Sequence, residues 1–219
     1  MFFVQSECRP IIRAVGNRCA IVFEKLGLPG NVSMMQAISI LNDKGFKEVD
    51  VDLMALARNT IGSAYKRGAS LSEAPKVFDC SSLTKWLYGQ LGISIPRRSI
   101  QQRDFGGLVG IFDVKPGDLI FSNGRIPYYV DNPKDGIGHV GIITDKKTVI
   151  HAANKKKGVV EVSLDEFTKT EDFRGFRRIV SDFSRLVVLE IPKERELETS
   201  DDIRWIIIQN LSKIKKPPR

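Results

Sequence analysis

Cys80, in the stretch VFDCSSLTKWLY at 77–88, and the chain's two histidines, His139 and His151, are the residues whose types could do nucleophilic chemistry together. Taken alone, a cysteine is usually a small buried apolar residue, and a single histidine is usually a satisfied half-buried one. Their placement argues otherwise. Asp79 can cap a helix whose Leu83, Trp86, Leu87 and Leu91 recur at three and four and which stops at Gly92, so Cys80 takes the first helical position. A free thiol has a pKa of about 8.5, and a helix N-terminus with a neighbouring imidazolium lowers it to roughly 3.5–7.5.

The histidines fall in strand-like runs, GHVGIITD at 138–145 and TVIHAA at 148–153, separated by Asp145, Lys146 and Lys147. A three-residue connection pairs Thr144 with Thr148 and sets Gly141 opposite His151 and His139 opposite Ala153. Side chains alternate faces along a strand, so both imidazoles then point to one side as diagonal neighbours. A two-residue turn would separate them. One histidine would serve the thiol as base and later protonate a leaving amine, the second would orient the first, and backbone N–H groups at the helix start, that of Cys80 included, would meet an oxyanion. The same Cys/His/His set could hold zinc with an open fourth position. A thiol at a helix start with no fourth ligand nearby suits a nucleophile better, and no metal or cofactor is expected.

These residues need a scaffold, and the chain is long enough to supply one. Its 219 residues are 42% hydrophobic and 27% charged, which fits one well-cored globular domain or a domain with appendages. Ser33 with Gln36 resembles a capping box, and Met34, Met35, Ile38, Leu41 and Phe46 suggest a short helix closed by Gly45. Leu53, Leu56, Ala57, Ile61 and Ala64 suggest a second helix with Gly62 near its end, followed by a loop at 66–76. Past residue 110 come short strands: GDLIFS at 117–122, the two histidine strands, GVVEVSL at 158–164 and FRGFRRIV at 173–180, spaced as an antiparallel meander. Helices first and strands afterwards indicate an α+β domain. The reading is an N-terminal extension over 1–50, the domain over 51–181 and a C-terminal extension over 182–219. That last piece carries LVVLEI as a strand and then a helix capped by Ser200, with Ile203, Ile207, Leu211 and Ile214 on one face.

Three cysteines are too few for a disulfide framework; Cys8 and Cys19 could pair in an oxidising compartment, but two reduced thiols in a cytosolic chain are the favoured reading, and either way Cys80 is the free thiol. No run reaches the roughly 18–20 apolar residues a membrane span needs. The N-terminal stretch breaks each apolar run with Glu7, Arg9, Arg13, Arg18 or Glu24, unlike a secretory signal. The expected location is therefore cytoplasmic, or outside by a route without an evident signal. The formal charge of +8 gathers at Lys146 and Lys147, Lys155 to Lys157 and the tail Lys213, Lys215, Lys216 and Arg219. Without interleaved aromatics or a recognition motif, this is no specific nucleic-acid surface; it is a solvated basic face or one that attracts an anionic polymer.

In order along the chain, FDCSSLTKWLYGQLGISIPRRSIQQ, VKPGDLIFS, IGHVGIITD, VIHAANKKKGVVEVSL and FRGFRRI resemble the NlpC-type (NlpC/p60) cell-wall cysteine peptidases of the papain-like superfamily, over roughly residues 52–181. The resemblance implies N-terminal helices packed on an antiparallel sheet, Cys80 as nucleophile, His139 as base and His151 as the orienting third member. It further implies that the Tyr65 hydroxyl lies near the nucleophile and that Asp79 and Ser81 help hold a substrate's free amino end. The implied reaction is cleavage of peptidoglycan stem peptides or muropeptides, between γ-D-glutamate and a diamino acid. Amidase or acyltransferase chemistry with the same triad, or a non-catalytic wall- or partner-binding module, are the alternatives. Three positions depart from the pattern: Ser82 stands where glycine is usual, crowding the first helical turn; Ser122 replaces an aromatic; and NGRIPYYVDNPKDG at 123–136 is unusually long.

Overall fold

A computed structural model describes residues 12–126, 128, 131–132 and 135–211. The basic tail residues, Ile214 and Cys8, with its suggested pairing to Cys19, lie outside the described residues. The first elements are β1 (Arg18–Val22), α1 (Met34–Asp43), β2 (Lys47–Glu48), α2 (Leu53–Asn59), β3 (Ala64–Tyr65) and β4 (Val77–Phe78). They are followed by α3 (Cys80–Gln90), α4 (Ser99–Phe105), β5 (Gly107–Val109), β6 (Leu119–Ser122), β7 (His139–Ile143) and β8 (Thr148–Asn154). The chain ends in β9 (Gly158–Ser163), α5 (Asp165–Thr168), β10 (Phe173–Arg178), β11 (Leu186–Glu190) and α6 (Ser200–Leu211). Among the described residues, one compact unit takes those before Val51, Gln90–Ser94 and those from Asp182 onward; the other takes Val51–Gly89 and Ile95–Ser181.

The first unit is a three-stranded antiparallel sheet, ordered β1, β11, β2, with α1 and α6. Cys19, Ile21, Leu41, Phe46, Leu189, Ile203 and Ile207 form much of its core, and burial pushes the Cys19 thiol up to about 12. Helix α1 starts at the expected Ser33–Gln36 capping box, but its buried face is Ala37, Ile40 and Leu41. Met34 and Met35 are exposed. Helix α6 is capped by Thr199, whose hydroxyl accepts the Asp201 N–H while Asp202 accepts the Thr199 N–H in return. The Ser200 hydroxyl, expected to be the cap, accepts the Ile12 N–H instead.

In the second unit, α2 ends at Asn59, short of the expected Ala64, because Gly62 at φ 88° turns the chain into β3. That strand pairs in parallel with β4, setting Tyr65 beside Phe78 and thus next to Asp79 and Cys80. Helix α3 is tied to the sheet by the buried Tyr88 hydroxyl, which donates to the Gly117 carbonyl at 2.6 Å. The main sheet runs β5, β10, β6, β7, β8, β9. Four strands form the expected meander, but β10 does not extend it. Instead β10 crosses to the far side of β6, between that strand and β5, which had no periodic signal of its own. Burial of Phe176 and a forked pair between Arg178 and the buried Asp118, at 2.7 and 2.8 Å, hold it there.

Candidate active site

The β7–β8 hairpin pairs Ile142 with Ile150 and Ile143 with Val149, and Thr144 bonds Thr148 across a turn of Asp145, Lys146 and Lys147. This is the three-residue register expected, with Lys147 itself at φ 56° in the left-handed position where glycine is usual. The register brings His139 Nε2 within 2.7 Å of His151 Nδ1, with the rings edge to face. Close approach under the pair requires Gly141, since a Cβ there would sit 2.4 Å from Val149 and 3.2 Å from the His151 Cβ.

Phe167, on α5, was not singled out in the sequence, yet its ring stacks on His139 and meets His151 edge-on, with centroids 5.8 and 5.0 Å away. It shields both imidazoles. Burial, against the opposing pull of Asp79, lowers the His139 pKa to about 4; burial with the neighbouring His139 and Lys157 lowers that of His151 to about 3. Both rings are therefore neutral in the folded chain at pH values where an exposed imidazole would ionise. Because the unfolded chain binds more protons between these values and 6.5, stability is lost as pH falls through that window. The chain has two histidines and its carboxylates ordinarily titrate below about 4.5, so the interval from about pH 6.5 to 5 isolates this effect. The melting temperature is expected to fall over that interval, and His151→Asn is expected to flatten the slope by about half. An unchanged slope would contradict buried neutral rings.

Cys80 opens α3 as expected, its thiol directed at the Gly138 carbonyl 3.9 Å away. Gly138 has no room for a side chain, as a Cβ would lie 2.3 Å from the Asn123 carbonyl. Burial and the charge of Asp79 push the thiol up to about 11, against the lowering pull of the Val140 and Ser81 N–H groups. The Cys80 thiol and the His139 imidazole, which line one cavity, thus both rest neutral, in place of the thiolate that the helix start alone suggested. Desolvation outweighs the helix terminus here. The Cys80 N–H has no acceptor among the described residues, and the Tyr65 hydroxyl lies close enough for Cys80 and Asp79, after burial, to raise its pKa.

Asp79 caps the helix by accepting the Ser82 N–H at 2.7 Å, and Ser82 completes the cap by accepting the Asp79 N–H at 2.8 Å. Ser82 does not crowd the turn; its hydroxyl satisfies a donor that glycine would leave unpaired. Arg97, missed in the sequence reading, forks onto Asp79 at 2.5 and 3.0 Å and also donates to the Ser81 hydroxyl at 2.9 Å. Burial alone would raise the Asp79 pKa, but Arg97 and the Ser82 and Gly68 N–H groups hold it below the usual carboxylate range. Gln102, fully buried, donates to the Ser81 and Pro96 carbonyls and fixes the segment carrying Arg97 against α3. The PRRSIQQ stretch was the available signal for Arg97 and Gln102, though nothing in its periodicity assigned them partners.

Cys80, His139, Tyr65, Asp79 and Ser81 all line one open cavity of about 1320 Å³. His151 does not line it, and reaches it through His139. With Nε2 of His139 engaged by His151, the other ring nitrogen is the one left for the cavity. A thiol, a base held in one orientation and unpaired donors at a helix start can together carry out acyl transfer.

Residues 62–178, which include all three of these chemical groups, match the model of the NlpC/P60 family. A probable endopeptidase of Corynebacterium glutamicum is 42% identical over 109 residues, 50% of this chain and 46% of that protein. A γ-DL-glutamyl hydrolase of Bacillus subtilis is 31% identical over 149 residues, 68% of this chain and 32% of that protein. The chain thus spans less than half the length of these curated relatives. Among solved structures, NlpC2 from Trichomonas vaginalis superposes with a TM-score of 0.51 at 25% identity, over 61% of this chain and 49% of that one. An NlpC/P60 family protein from Bacillus cereus gives 0.50 at 26% identity, over 58% and 39%.

Proposed function

The chain belongs to the NlpC/P60 family, and from that premise we propose that it is a cysteine endopeptidase that hydrolyses γ-glutamyl amides of peptidoglycan stem peptides. The observation that carries the reading is the thiol of Cys80 at a capped helix start, in one cavity with an imidazole whose far nitrogen is bonded at 2.7 Å. The names of its relatives, endopeptidase and γ-DL-glutamyl hydrolase, support the bond type.

His139 Nε2–H donates to His151 Nδ1, which leaves His139 Nδ1 unprotonated and able to act as base. As Sγ of Cys80 bonds to the amide carbon, that nitrogen takes the thiol proton. The carbonyl oxygen becomes an oxyanion met by the Cys80 N–H and the Tyr65 hydroxyl. Collapse breaks the C–N bond, and the amine departs with the proton held by His139. Water, deprotonated by His139, then attacks the thioester, releasing a γ-carboxylate and restoring the thiol.

In this scheme His151 is a positioning residue, and it must be neutral to accept. Its protonation would place a donor against His139 Nε2 and move the His139 proton to the nitrogen that has to be free. His151→Ala is expected to lower kcat about 10- to 100-fold with little change in KM, while His151→Asn, whose amide oxygen can accept the same hydrogen bond, recovers most of it. Equal losses in the two variants would count against the tautomer argument.

The proposal is tested by digesting defined muropeptides and weighing the products. Cleavage after γ-D-glutamate by the wild type is expected; products cut elsewhere, or none, would refute it.

A further inference from the structure

We propose that the open edge of β5 is a self-association surface, to which a second copy of this chain adds its own β5 in antiparallel fashion about a two-fold axis at Leu108. In the six-stranded sheet β5 is an end strand, with β10 on one side and, among the described residues, no strand on the other. The ladder leaves backbone groups on that open side. The Ile143 N–H donates to the Asp118 carbonyl across β6 and β7, and hydrogen-bonding groups alternate sides residue by residue along an antiparallel strand. By that alternation Leu119 turns its groups to Arg177 of β10, Phe176 and Arg178 turn theirs to Val109 and Gly107 of β5, and the N–H and C=O of Leu108 point away from the sheet.

The side chains along this edge are apolar and uncovered. Phe105, Leu108, Ile111 and Phe112 are exposed, Leu108 by 80% and Phe112 by 100%. Ile111 and Phe112 hold the two central positions of a turn closed by the Asp113 N–H on the Gly110 carbonyl, where glycine, proline and small polar residues are usual. From Phe105 to Phe112 there is no charge and no proline to keep another strand away. What selects a copy of the same chain is symmetry in the sequence. FGGLVGI at 105–111 is nearly palindromic: about Leu108, Phe105 matches Ile111 and Gly106 matches Gly110. A self-paired antiparallel strand needs that symmetry, because the residue n places before the axis meets the one n places after it. Gly106 is already extended, at φ −95° and ψ 161°, and neither it nor Gly110 carries a side chain to hold the two backbones apart. Leu108, Val109, Phe112 and Val114 also line an open groove of about 460 Å³ beside the strand, which gives apolar side chains from the second copy a place to enter. Covering the four exposed side chains would remove roughly 500 Å² per copy from water, about 1,000 Å² in all, which is the lower limit for a specific interface and sets the dimer among weak ones.

Sedimentation equilibrium between about 10 μM and 1 mM is expected to show a mean mass that rises from 24.6 kDa toward twice that value. Leu108→Lys and Leu108→Glu each set like charges against one another at the axis, and each should weaken association at least about tenfold. Leu108 is exposed, so neither charge is expected to disturb the fold. Mixed in equal amounts, the two variants place Lys against Glu and should associate again, which only pairing of position 108 with itself explains. A wild type that stays at 24.6 kDa over the whole range, single variants that associate as tightly as the wild type, or a mixture no heavier than its components would each overturn the inference.

Discussion

Cys80→Ala is expected to lower hydrolysis of a γ-glutamyl amide by at least about 10³-fold while leaving the fold in place. The two halves of that expectation rest on different observations. As a donor the thiol makes only a weak contact among the described residues, to the Gly138 carbonyl at 3.9 Å, whereas the helix start is held by Asp79 and Ser82 through their own backbone and side-chain bonds. Alanine at the first helical position keeps those bonds and has good helix propensity, so the melting temperature should move by only a few degrees. Loss of activity in a protein that still folds then reports the nucleophile. Wild-type rates from Cys80→Ala would place the chemistry elsewhere.

His139→Ala comes next, with an expected loss of about 10²- to 10⁴-fold in kcat, the usual range for a positioned acid–base group. In the proposed mechanism, with burial holding the Cys80 thiol up at about 11 and the His139 imidazole down at about 4, the proton moves only as the bond forms. Thiol reactivity shows the same thing directly. Alkylation of Cys80 by iodoacetamide should climb with pH toward about 11 in the wild type, and a plateau reached below neutrality would instead mean a resting ion pair. The deletion also opens a space against Phe167, so added imidazole should restore part of the activity of His139→Ala, and none of that of Cys80→Ala.

How far the site could be read from the sequence depended on the range of the interaction. Asp79 as cap and Cys80 as first helical residue are local, decided within four residues, and the structure agrees. The His139–His151 pairing was legible because a hairpin is local too: a three-residue turn leaves one register, and alternation of side chains does the rest. What escaped was non-local. Phe167 reaches the histidines from the helix that follows β9 in the chain, and no spacing links it to them. Arg97 sits in a run of basic residues that periodicity treats as surface, yet its fork onto Asp79 changes the meaning of that carboxylate from a free ligand to a saturated one. The crossing of β10 escaped for the same reason, since the Arg178 to Asp118 pair that anchors it spans 60 residues. In α1 the apolar spacing was right in kind but off in phase: Ala37, Ile40 and Leu41 are buried, while Met34 and Met35 are exposed.

The central claim is that the substrate's acyl group passes through the sulfur of Cys80. Acid-quenching the wild-type protein during turnover of an N-acetyl-γ-glutamyl anilide and weighing it intact, then as peptides, tests this directly. The expected result is a mass increase equal to the acyl group less one hydrogen on the peptide containing Cys80, sensitive to hydroxylamine and missing from Cys80→Ala. Steady product formation with no acylated cysteine, or with the acyl group on another residue, would contradict the account.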